Sequence, residues 1–133
     1  MNTTVRIARI LSVYLIITGA GFGISPDFYT QLIAHTGTDP ILINLSGMVH
    51  FFIGMTIIAY HFVWKSFLEI AVSLLGCLFL LKGIFLITIP ELILQSGDNP
   101  AQIPWLMSTG FLLVGIILAY LSFVKSSVQD EED

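Results

Sequence analysis

Four long apolar stretches, each stopped by a short cluster of polar, proline or charged residues, divide the chain. They run from Val5 to Ser25, Ile41 to His61, Phe67 to Ile89 and Ile103 to Val124. About 20 apolar residues carry a helix across the hydrocarbon core, so each stretch predicts one membrane-spanning helix. The breaks have turn chemistry. "SPD" at Ser25 to Asp27 and "TDP" at Thr38 to Pro40 bracket the first loop, "KS" at Lys65 and Ser66 separates the second span from the third, and "SGDNP" from Ser96 follows the third. Arg6 and Arg9 precede the first apolar run as basic residues precede a signal peptide. That run is longer than a signal core and lacks an A-x-A cleavage pattern, so a retained helix is expected. The predicted class is an all-α integral membrane protein, a four-transmembrane-helix bundle over residues 1–125, followed by an acidic tail at 126–133.

Basic residues near the span ends set the expected orientation. Arg6, Arg9, Lys65 and Lys125 fall on one side of a four-pass chain, whereas the opposite loops hold Asp27, Asp39, Glu91 and Asp98 and no Lys or Arg. Both termini are therefore expected in the cytoplasm, with the chain in the inner (plasma) membrane. Trp64, Tyr60 and Tyr120 then fall at the inner interface, and Trp105 and Tyr29 at the outer one.

The halves resemble each other. "GAGFGISPD" (Gly19 to Asp27) aligns with "GIFLITIPE" (Gly83 to Glu91), "GTDP" (Gly37 to Pro40) with "GDNP" (Gly97 to Pro100), and "IGMTIIAY" (Ile53 to Tyr60) with "LVGIILAY" (Leu113 to Tyr120). This predicts two hairpin repeats, residues 5–64 and 67–125. An even number of passes per repeat keeps their orientation the same, making them parallel repeats about an axis along the membrane normal. Ser25, Pro26 and Asp27 form a helix-start pattern. Phe28, Tyr29, Leu32 and Ile33 share one face after it, which predicts a short helix on the outer membrane surface.

Composition agrees with the pattern: 56% of residues are hydrophobic and 11% charged, against roughly 25% charged in soluble chains. The net charge of −4 is a local matter, since four of the nine acids lie in the tail "QDEED". Five dispersed Lys and Arg make no nucleic-acid patch. Cys77 is the only cysteine. It excludes an internal disulfide and a cysteine metal cluster, and reads as an apolar filler.

Two residues stand out chemically. His50 lies roughly 13 Å into the second span, on one face with Ser46, Gly47 and Gly54. It suits a proton relay, a ligand contact or a single interhelical hydrogen bond. Haem is not expected, because His35 and His61 lie at other depths. Lys82 lies about 9 Å inside the outer end of the third span, among Leu78, Phe79, Phe85 and Leu86. A lysine in hydrocarbon costs roughly 2.5 to 3.5 kcal/mol on insertion scales and is a functional candidate by default. Its ammonium is expected to snorkel to the acidic outer rim; lining a pocket is the alternative.

The candidate polar site is therefore His50, Lys82, Asn44, Ser46 and Thr18, all toward the outer half. Gly19, Gly23, Gly47, Gly54, Gly83 and Gly115 are expected to let helices approach. "GAGFG" (Gly19 to Gly23) is no phosphate loop, since no strand precedes it. Glu69, four residues after Lys65, is expected to pair with it.

His61, Trp64, Gly76, Lys82, Gly83, Pro90 and Glu91 together form an H-x-x-W … K-G … P-E pattern. It resembles a recurrent pattern in an uncharacterised family of small four-pass bacterial inner-membrane proteins. The resemblance implies that membrane and no activity.

The expected function is structural or accessory, as a homo-oligomer or a subunit of a larger membrane complex. The alternative is a transporter or channel component binding a small or lipid-like ligand near His50 and Lys82. No nucleophile–base pair or metal constellation occurs within the spans, so an enzyme is not expected, nor is a cofactor. The lipid bilayer is the certain partner, with another membrane protein or an unidentified small molecule as further candidates.

Overall fold

Proline and side-chain caps decide where each helix begins and ends. In the computed structural model, which describes residues 2–29, 39–95 and 104–126, α1 spans Thr3–Ile24, α2 Pro40–Tyr60 and α3 Phe67–Thr88. A short α4 (Pro90–Gln95) follows, then α5 (Pro104–Ala119), which continues as a π-helical segment, Tyr120–Lys125. Asn2 caps α1 by accepting a hydrogen bond from the Val5 amide at 2.9 Å. Asp39 caps α2 through the Ile41 amide at 2.8 Å, with Pro40 in the first turn, where a missing N–H costs nothing. At the far ends, Pro26 and Pro90 cannot continue the helices that precede them.

The four spans match the expected ones closely, and each is long and apolar enough to cross a membrane. Of the expected surface helix, residues 26–29 are helical; Leu32 and Ile33 lie outside the described residues. One local expectation is corrected. Glu69 accepts from the Ser66 and Lys65 amides at 2.9 and 3.1 Å, and its own amide donates to Ser66 Oγ at 3.3 Å. The carboxylate closes a capping box for α3, which satisfies two backbone donors in place of the anticipated pairing with the Lys65 ammonium.

The chain divides into two compact units, and they do not coincide with the two sequence hairpins. One unit comprises residues 1–30 and 101–133, the other residues 31–100. In the first, α1 packs on α5; in the second, α2 packs on α3. Each unit thus takes one span from each hairpin.

In the α2·α3 unit the backbones nearly touch. A Cβ at Gly83 would meet the Phe51 amide nitrogen and lie 2.6 Å from its Cα and 2.8 Å from the Gly47 carbonyl. A Cβ at Gly54 would meet the Leu80 amide and lie 2.7 Å from the Gly76 carbonyl. In the α1·α5 unit, a Cβ at Gly19 would lie 2.8 Å from Leu112 Cγ and 3.1 Å from the Ser108 carbonyl, and one at Gly115 2.9 Å from Ile16 Cγ1. In lipid no hydrophobic force drives helices together, so close van der Waals approach through such small residues does.

These contacts fall at regular offsets. Gly19 and Gly83 are 64 positions apart, as are Ile16 and Leu80; Gly54 and Gly115 are 61 apart, as are Gly47 and Ser108. Burial follows the same rule. Ala8, Ser12, Gly19 and Phe22 are buried, and so are Val72, Gly76, Gly83 and Leu86. Gly47, Gly54, Ile57 and His61 are buried, and so are Ser108, Gly115, Leu118 and Ser122. The packing register of the returning spans is therefore one residue longer than the "IIAY"/"ILAY" alignment, which has an offset of 60.

Candidate functional site

His50 is held on α2 by its own helix. Its Nδ1–H donates to the Ser46 carbonyl at 2.7 Å, with Ser46 Oγ at 3.5 Å. A ring nitrogen committed to a carbonyl fixes which tautomer the neutral ring takes, with the lone pair on Nε2. The half-buried ring stacks on Phe79 of α3, with centroids 5.6 Å apart and planes 29° apart. Lys82, one turn beyond Phe79, adjoins Gly83, which packs against the backbone of Phe51, the residue after His50. Its side chain is exposed, and among the described residues no carboxylate bonds it. Asp39, one of the outer acids expected to receive it, uses its carboxylate to cap α2.

The fold therefore brings three of the five expected polar residues together on the α2·α3 unit: Ser46, His50 and Lys82. Asn44 lies on α2, exposed, six residues from His50 and so on another face. Thr18 is half-buried on α1, in the other unit. Among the expected packing glycines, Gly19, Gly47, Gly54, Gly83 and Gly115 are all buried at helix contacts. Gly23 is exposed, with Ser108 Oγ 3.2 Å from where its Cβ would be.

Several participants were not anticipated. Phe79 supplies the face on which His50 rests, a role visible in sequence only as an aromatic one turn before Lys82. Gly76 admits Ile57, whose Cγ2 would lie 2.6 Å from an added Cβ. Ser108 Oγ donates to the Gly19 carbonyl at 2.7 Å inside the α1·α5 contact. Arg9, read from sequence only for its charge, donates from Nε to the Ser122 carbonyl at 3.0 Å and lies 4.7 Å from the centre of the Phe123 ring.

At the matching offsets, the His50 position is taken by Phe111 and the Ser46 position by Met107. The Phe79 position is taken by Leu15 and the Lys82 position by Thr18. The same helix-pair frame thus carries an imidazole and an ammonium in one unit and almost only hydrocarbon in the other. Among the described residues no group of His, Cys, Asp and Glu is arranged to hold a metal.

Four membrane-crossing helices, arranged as two glycine-packed pairs and bearing one polar cluster, define a multi-pass α-helical membrane protein. Comparison with protein-family models, with curated proteins and with solved structures returned no match.

Proposed function

We propose that the chain is a small accessory protein of a bacterial inner membrane, in a homo-oligomer or a larger complex. Both termini are cytoplasmic, and its duplicated hairpin holds the polar end of a small or lipid-like ligand at Ser46, His50 and Lys82. One observation carries this reading. The sister unit packs in the same register with Phe111 and Thr18, so the helix contact has no need of His50 and Lys82. A lysine that packing does not require, held at a cost of roughly 2.5 to 3.5 kcal/mol, marks a site of use. The recurring 64 and 61 offsets support the duplication. The H-x-x-W … K-G … P-E resemblance and the Arg6, Arg9, Lys65 and Lys125 asymmetry support the membrane and the orientation.

The test gives the α2·α3 unit the residues of its sister: Ser46→Met, His50→Phe and Lys82→Thr in one chain. Native mass spectrometry of the mildly solubilised wild-type protein should show a retained small molecule or lipid. The triple variant should fold with similar thermal stability and lose that mass. A wild-type chain that retains nothing, or a variant that fails to fold, would overturn the reading. For the orientation, cysteines at Asp27 and Glu91 in a Cys77→Ser background should react with an impermeant thiol reagent in intact cells, and one at Lys65 should not.

A further inference from the structure

A second polar concentration lies at the end of the α1·α5 unit where the chain begins. Arg9 sits six residues into α1, about 9 Å from its start. The Nε bond to the Ser122 carbonyl and the Phe123 ring hold the guanidinium in place from two sides. The ring face attracts the cation without using its donors. Both terminal Nη groups, a fork matched to two oxygens of one phosphate, have no hydrogen-bond acceptor among the described residues.

Two further cations belong to the same end. Arg6 is exposed one turn nearer the start of α1, on the same face as Arg9, and Lys125 is exposed within one turn of Ser122. Three of the chain's five Lys and Arg are thus gathered here. The charge is uncompensated among the described residues: the one described acid of this unit, Asp27, lies beyond the opposite end of α1, more than about 20 Å along the axis, and the four acids of the tail lie outside the described residues.

The other unit again provides the contrast. At the matching offsets Arg6, Arg9 and Lys125 are replaced by Ile70, Ser73 and Trp64. Ser73 also bonds a main-chain carbonyl, donating from Oγ to that of Val63, in the connection that follows α2, at 2.9 Å. A serine at the matching position thus bonds a main-chain carbonyl without any charge, and the arginine brings charge that such a bond does not use.

We infer that Arg6, Arg9 and Lys125 form a binding site for the phosphate of an anionic phospholipid headgroup at that membrane surface. The depth fits. Arg9 is placed where a long side chain reaches the headgroup layer, and basic residues between spans near a membrane surface attract anionic lipids. The site belongs to the α1·α5 unit, whereas His50 and Lys82 belong to the α2·α3 unit, and it does not depend on which way the chain is inserted.

The experiment titrates the full chain in mild detergent with phosphatidylglycerol or phosphatidylcholine and reads retained lipid by native mass spectrometry. Phosphatidylglycerol should be retained in preference. Arg6→Gln and Lys125→Gln, which leave the Arg9 tie in place, should each weaken its retention about fivefold, with thermal stability unchanged. Arg9→Lys keeps the charge and removes the fork, so it should weaken retention further than a charge count predicts.

Equal retention of the two lipids, or Gln variants that bind as the wild type does, would overturn the proposal. So would displacement of the lipid by millimolar inorganic phosphate, which would point to a free anion. A chain truncated after Ser126 tests the acidic tail as the competing occupant. Retention that appears only on truncation would give the site to the tail, whereas equal retention supports the lipid.

Discussion

The α1·α5 and α2·α3 units solve one packing problem with nearly one pattern and carry their polar chemistry at different places. The α2·α3 pair brings backbones together through glycine on both helices, at Gly47, Gly54, Gly76 and Gly83. The α1·α5 pair has Ser12 and Ser108 at two of those four positions. It adds a hydrogen bond from Ser108 to the Gly19 carbonyl. His50 and Lys82 stand along the first contact, whereas Arg6, Arg9 and Lys125 stand at one end of the second. Packing sets which positions must be small, and the flanks and ends of that contact are then open to different uses.

The comparison is broken most severely by cutting the chain. Each unit draws on both sequence halves, so residues 1–65 and 66–133 expressed separately should each be degraded. Co-expressed, they should assemble and co-purify. A stable half on its own would show that the hairpin, rather than the cross-paired unit, is what folds.

Added methyl groups probe the two contacts directly. Gly83→Ala drives a Cβ into the Phe51 backbone and should cost about 3 kcal/mol, at the upper end for overpacking. Gly19→Ala meets the movable Leu112 side chain first and should cost about 1 kcal/mol. Gly110→Ala, with nothing among the described residues within 4 Å of its Cβ, should cost nothing. Thermal unfolding in one detergent ranks the three, and a larger loss at Gly19 than at Gly83 would reverse the comparison.

Smaller effects separate function from packing. Lys82→Met removes an ammonium that no described carboxylate bonds, so stability should stay nearly unchanged. Unfolding of this variant would make Lys82 structural. Ser122 is fully buried, and its Oγ has no partner among the described residues. Replacing an unsatisfied buried hydroxyl relieves a desolvation penalty, so Ser122→Ala should be neutral or slightly stabilising, by up to about 1 kcal/mol.

The spans were legible because an apolar run and its punctuation are local properties; Pro26, Pro40 and Pro90 fix boundaries wherever they fall. The pairing of first span with last was not legible. The spans are apolar around most of their circumference, so no amphipathic stripe names a partner, and the small residues that do the choosing occur on every span. The capping box at Ser66 and Glu69 was readable as S-x-x-E, yet the four-residue spacing from Lys65 suggested an ion pair. In the candidate site, the Ser46–His50 link follows from helical spacing alone. The stacking of His50 on Phe79 depends on the register of two helices, which only their packed contact sets.

The Arg9 tie to Ser122 joins residues 113 positions apart. A ribosome releasing the chain from its first residue finishes the α2·α3 pair early, since those spans are neighbours joined by the short connection at His61 to Ser66. During that time α1 is already in the bilayer with Gly19 and Arg9 lacking their partners, and it stays so until the last span emerges. Contacts of long sequence separation form late and leave their surfaces open meanwhile. The first helix is therefore the part of the newborn chain most exposed to proteolytic surveillance, and the one a membrane chaperone would need to hold.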